Sequence, residues 1–190
     1  MFDRRTFLAG STALAFVGLT GRAGAALQGS SPSARDAALH QLLQGWFDED
    51  LRDNPTFATN LGVDTGELAA LRGKLGEASL AEVNDDRAKA IARNRAIQAF
   101  GRTGLSPAGQ LNYDIAAFRG SVSAQGAAFR YGGAGGRPAP YVLSQLGGAY
   151  YSVPDFLDTQ HPVRNAQDAD YYLSRLQDFA RNLNQEAERV

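Results

Sequence analysis

Four times along this chain a helix-opening residue stands directly before an apolar stripe of three- and four-residue spacing, and strand-like alternation never lasts more than a few residues. That pattern restricts the fold to packed helices. In "SPSARDAALHQLLQGWFDEDLRDNP" the opener is Ser31 or Ser33, the stripe is Leu39, Leu42, Leu43, Trp46 and Phe47, and Pro55 ends the helix near Asp53. "PTFATNLG" then reads as a short helical turn capped by Asn54 and closed at Gly62, and "GELAALRG" as a further turn in the loop running to Glu77. The second long helix opens at Ser79 with "SLAE", a capping box in which the Ser79 hydroxyl accepts from the Glu82 N–H while the Glu82 carboxylate reaches back. Val83, Ala90 and Ile97, widened by Leu80, Ile91 and Phe100, form its stripe, and Gly101 or Gly104 stops it.

The third helix opens in "LSPAGQLNYDIAAFRG", with Ser106 as cap and Pro107 in the first turn, where a missing N–H costs nothing. Leu111, Ile115, Phe118 and Val122 predict a single buried face. The last opens at Asn165, with Asp168 favoured in the first turn by the helix dipole. Its stripe runs through Ala169, Tyr172, Leu173, Leu176, Phe179, Ala180, Leu183, Ala187 and Val190, still in register where the sequence ends. A pattern with no stop signal is expected of a truncated helical region. No repeat of solenoid length is present. The expected fold is therefore all-α: an irregular bundle of about four to six helices, part of a larger helical protein, with one long loop.

That loop is "YGGAGGRPAPYVLSQLGGAYYSV", residues 131–153, rich in glycine and without helical period. Its tyrosines and aliphatics argue for packing on a surface rather than for a floppy linker. Tyr141, Tyr150 and Tyr151 are the candidate substrate-binding residues, set against a plainer role in packing with their hydroxyls at the rim. "GGAGG" lacks the Lys-Ser/Thr ending and preceding strand of a phosphate loop and reads as a flexible turn. In "YYSVPDFLDTQHPV", residues 150–163, Pro154 suits the first turn of a short helix, Phe156 and Leu157 suit burial, and His161-Pro162 suits an extended corner before Asn165. His161 is expected to be hydrogen-bonded there.

The N-terminus, "MFDRRTFLAGSTALAFVGLTGRAGAALQ", has paired Arg4 and Arg5, an apolar run over residues 7–19 and a small-residue exit at Ala23-Gly24-Ala25. This is the pattern of a secretory signal, residues 1–25, and Arg-Arg followed by Phe-Leu suits the twin-arginine export machinery as a partner. The run is shorter than the roughly 20 residues a membrane span needs. Cleavage would leave residues 26–190, periplasmic or secreted. It would also remove Arg4, Arg5, Arg22 and Asp3 and move the net charge from −1 to −3, which disfavours nucleic acid and anionic membrane as partners.

Catalytic signals are sparse. There are no cysteines, so disulfides, thiolate metal sites and a cysteine nucleophile are excluded. Peptidase zinc sites need two histidines one helical turn apart with a glutamate between them, and the two histidines here, His40 and His161, stand far apart in the chain. Asp48, Glu49, Asp50 and Asp53 lack the glycine and ligand spacing of a calcium loop and read as a solvated helix face. Neither Gly-x-Ser-x-Gly nor Ser-x-x-Lys occurs in residues 26–190. On these grounds no catalytic or metal residue is assigned and no cofactor is expected in this chain.

Three stretches in order, "DNPTFATNLGVDTG", "LSPAGQLNYDIAAFR" and "YYSVPDFLDTQHPVRNAQDADYYLSRLQDFARNLNQ", resemble the N-terminal part of the bacterial family known as domain of unknown function 885. The resemblance implies an exported, largely helical protein of metallopeptidase-like character. In that family this inference rests on a His-Glu-x-x-x-Gly-His-His type signature in the C-terminal half. No position here matches it, so no catalytic role is carried over. What it implies for this chain is a scaffold or cleft wall of a zinc-dependent peptidase-like protein, with zinc and a peptide substrate belonging to a longer form. The competing expectation is a self-contained periplasmic helical module that binds a ligand or protein without catalysis.

Overall fold

The computed structural model describes residues 33–130 and 141–190, and the signal residues Arg4, Arg5, Ala23 and Ala25 and the "GGAGG" turn lie outside them. The described residues form six α-helices and one 3-10 helix: α1 (Ala34–Asp53), α2 (Pro55–Leu61), the 3-10 helix (Gly66–Gly73), α3 (Leu80–Phe100), α4 (Pro107–Gly126), α5 (Ala149–Thr159) and α6 (Ala166–Ala187). The all-α expectation holds. Ser33, Ser79, Ser106 and Asn165 each cap the helix that follows by accepting the N–H three residues on. The reciprocal capping box belongs to α1, where the Asp36 carboxylate accepts the Ser33 N–H. At Ser79 only the hydroxyl half is made. Asn54 caps α2 without a side-chain bond, its amide donating instead to the Asp50 carbonyl, and Gly62 closes the turn in the left-handed conformation at φ 69°.

The core is three small clusters. Leu39, Ile97, Leu105 and Tyr113 join α1, α3 and α4; Leu51, Ala58 and Leu71 join α1, α2 and the 3-10 helix; Leu75, Ala149, Val153, Phe156 and Leu157 lie under α6. The ends of the first group are pinned by polar contacts. Asp36 Oδ1 accepts the Ser106 N–H while Oδ2 accepts that of Ser33, so one carboxylate caps two helices. Arg35 lies over the Phe100 ring at 4.3 Å and donates to the Phe100 carbonyl at 2.6 Å, closing the C-terminus of α3.

Three expectations are corrected. On α4, Leu111, Ile115, Phe118 and Val122 are exposed, Phe118 to 71%. The face that packs is the opposite one, Gly109, Tyr113, Ala116, Ala117 and Gly120, because small residues let two helices approach. A Cβ at Gly120 would lie 3.4 Å from the Asn94 Cα of α3. Leu80 and Ile91 of α3 are likewise exposed.

On α6 the buried residues are Asp168, Arg175 and Asn182, and Leu173, Leu176, Leu183 and Val190 are exposed. The reason is the irregular stretch entering α3. Its backbone has no ladder to bond to, and side chains of α6 and of Arg189 just beyond it supply the partners: Asp178 for the Leu75 N–H, Gln185 for the Ala78 N–H, Arg175 for the Lys74 carbonyl and Arg189 for the Ala78 carbonyl.

The third correction is to the loop. Residues 149–153 are helical, and Pro154 lies inside α5 rather than in its first turn. No local residue caps α5; both Glu186 carboxylate oxygens accept the Ala149 N–H, at 3.0 and 2.8 Å, from the far end of α6. Pro154 withholds one N–H from the helix, a loss tolerated here because the Val153, Phe156 and Leu157 face is buried.

Candidate functional site

Two features gather chemistry-bearing side chains: a buried polar node beneath α6 and an open groove beside α3.

The node is centred on Arg175, 0% exposed. Its Nε donates to the Lys74 carbonyl at 3.0 Å, Nη2 to Thr59 Oγ1 at 2.6 Å and to the Leu71 carbonyl at 3.2 Å, and Nη1 faces His161 Nδ1 at 2.6 Å. A guanidinium can only donate, so His161 Nδ1 accepts; its Nε2–H then donates to the Asp168 carbonyl at 3.0 Å. This fixes one neutral tautomer and agrees with the hydrogen-bonded corner expected for His161. Thr59 passes its proton on to Asp64 Oδ2 at 2.9 Å, Arg72 pairs with Asp64 and Asp168, and the Phe156 ring lies 4.8 Å from the Arg175 guanidinium. Burial pushes the Arg175 guanidinium down to about 10, against the pull of Asp64 and Asp178, which leaves it charged at neutral pH. Each nitrogen of the Arg175 guanidinium is bonded from within the chain. The node therefore ties α2, the 3-10 helix, the 161–165 corner and α6 together.

The Arg164 side chain holds the Asp168 carboxyl below the usual carboxylate range, with its backbone N–H assisting. At Asp36 burial pushes upward, but the Ser33 and Ser106 backbone N–H groups prevail and the carboxyl again lies low. Both groups are more acidic folded than unfolded. Their stabilisation is complete above the unfolded value of about 4 and is lost as pH falls through the lower folded values. Urea midpoints should hold steady from pH 7 to 5 and drop below pH 4, and Asp168→Asn should reduce that drop.

The groove, about 820 Å³, separates α1 and α2 from the α3–α4 pair. Its α1 wall is held off α3 by side-chain struts: Lys89 pairs with Asp53 at 2.9 Å and with Asp85 at 2.6 Å, and Arg93 pairs with Asp50 at 2.7 Å and with Glu49. The acidic run of α1 is thus engaged with α3 rather than left to solvent. Trp46, Phe47 and Phe57 supply an aromatic wall, the last two edge to face at 6.2 Å. Sequence reasoning missed this groove, because its residues come from four elements and each looks unremarkable on its own.

The tyrosine candidates are not gathered into one place. Tyr141 lines a separate hollow of about 470 Å³ with Leu80, Arg87 and Arg130; Tyr150 donates to the Ser144 carbonyl at 2.5 Å; Tyr151 is exposed on α5. His40 is exposed on α1 and His161 is spent in the node. No group of three or more His, Asp or Glu suited to a metal occurs among the described residues.

The described residues thus form an irregular all-α bundle with a buried polar node and an open groove. The chain belongs to the family described as bacterial protein of unknown function, DUF885, whose model matches residues 55–190. No curated protein and no solved structure matches it.

Proposed function

We propose that this chain is the helical scaffold and cleft wall of an exported, zinc-dependent peptidase-like protein, and that a longer form supplies the metal ligands and hydrolyses the peptide. The observation that carries the scaffold reading is α4. It packs through a small-residue face and leaves a second apolar face, Leu111, Ile115, Phe118 and Val122, in solvent. Stripes spaced by four, three and four residues suit coverage by another helix, and an uncovered face of this size marks an interaction surface. Export by the twin-arginine route rests on Arg4, Arg5 and the small-residue exit at Ala23 and Ala25.

The scaffold reading separates two forms of the protein. Phe118→Asp should leave the Tm of the 190-residue chain within about 2 °C while lowering that of a longer form by about 5 °C or more, since only there is the ring covered. Equal small shifts in both would refute the scaffold reading. Metal-dependent cleavage of a fluorogenic peptide by the longer form, lost with a chelator, tests the peptidase assignment separately. The second reading, a self-contained binding module, is favoured by the groove.

A further inference from the structure

The charges that line the groove are mostly spent on one another, since Lys89 and Arg93 are neutralised by the carboxylates of α1 and α3. Two charged lining residues have no hydrogen-bond or ion-pair partner among the described residues: Asp86 of α3, half-buried, and Arg119 of α4, exposed. Burial, with Asp53 and Asp85 nearby, raises the Asp86 carboxyl even though Lys89 and Arg93 oppose it. Asn60 and Asn112 add amides without side-chain partners on the same lining.

The helix register sets the spacing. Asn94 of α3 lies against Gly120 of α4, the neighbour of Arg119, and Asp86 lies eight residues before Asn94. At 1.5 Å per residue that places the Asp86 and Arg119 backbones about 12 Å apart along the α3 axis. An extended chain covers about 3.3–3.6 Å per residue, so three to four residues fit between them.

We infer that the groove binds a short peptide with both termini free, its α-ammonium at Asp86, its α-carboxylate at Arg119 and its side chains against Trp46, Phe47 and Phe57. The two charges act as a ruler that favours tri- and tetrapeptides over longer chains. The inference stands on the groove's own charges and does not require this chain, or any longer form, to cleave what it binds.

Trp46 is the single tryptophan and lines the groove, so its fluorescence reports occupancy directly. Titrating the full chain with Ala-Phe-Ala-Ala should give a saturable change in emission. N-acetylation or C-amidation of the peptide should each weaken binding about tenfold, the size expected for one charge-assisted bond. In Asp86→Asn the acetylated and free peptides should bind alike, and in Arg119→Gln the amidated and free peptides should. Arg119 is exposed and neither side chain makes a hydrogen bond or ion pair among the described residues, so the variants should keep the wild-type melt. No saturable change at millimolar peptide, or equal binding of free and capped peptides to the wild type, overturns the inference. Peptide cleavage by a longer form that shows no Trp46 response would leave the peptidase reading intact and remove this one.

Discussion

Arg175→Ala should destabilise the chain by about 3–5 kcal/mol, the cost expected when one partner of a buried charged network is removed. The substitution takes the guanidinium donors from the Leu71 and Lys74 carbonyls, Thr59 Oγ1 and His161 Nδ1, with Leu71, Thr59 and His161 all buried. Arg175→Lys should recover little of the loss, because one ammonium cannot span four acceptors held in a fork. His161→Ala should cost less, about 1–3 kcal/mol, since it removes one acceptor and one donor. The double variant should fall well short of the sum, because the two residues share a bond. Urea unfolding of the four proteins measures this. Strict additivity would mean that the Arg175–His161 contact is not made in solution. A zinc titration of the wild type abolished by His161→Ala would contradict the structural assignment of that histidine.

Gly109→Ala should cost about 3 kcal/mol, although alanine is the better helix former by roughly 1 kcal/mol. A methyl group there would overlap Asp36 Oδ1 and lie 3.0 Å from its Cγ. To make room the carboxylate must leave, and with it go the bonds that cap both α1 and α4. The same change at Gly126, with nothing within 4 Å, should be neutral or stabilising. A thermal melt comparing the two variants checks it, and equal shifts would show that the carboxylate does not cap both helices.

These two sites show how far the sequence could be read. The openers Ser33, Ser79, Ser106 and Asn165 were legible because a cap bonds within its own next turn. The start of α5 was not, because its cap, Glu186, stands 37 residues away. The buried faces of α4 and α6 were misread for a related reason. Periodicity counts apolar residues, whereas α4 packs where its residues are smallest and α6 packs where an irregular backbone needs hydrogen bonds. The Arg175 node belongs to the same class, since its partners are carbonyls and a hydroxyl whose approach no local pattern announces. For the groove, Trp46, Asp86 and Arg119 each gave an ordinary surface signal, and only the separation of α1 from α3 brought them to one lining. Tyr150 and Tyr151 lie within α5 rather than along one loop with Tyr141, because the helix start there has no local signal.

The distant cap and the node together set an order of events during synthesis. When the ribosome has released everything up to residue 165, α2, the 3-10 helix and α5 have left the tunnel, yet Thr59, the Leu71 and Lys74 carbonyls and the Ala149 N–H still lack the partners they will have. Those partners, Arg175 and Glu186, follow 10 and 21 residues later. The α1–α3–α4 group can consolidate early, while the other half of the molecule must wait for α6 and then close in one step. At about 5–20 residues per second the wait lasts seconds, long enough for chaperones to compete for the open half.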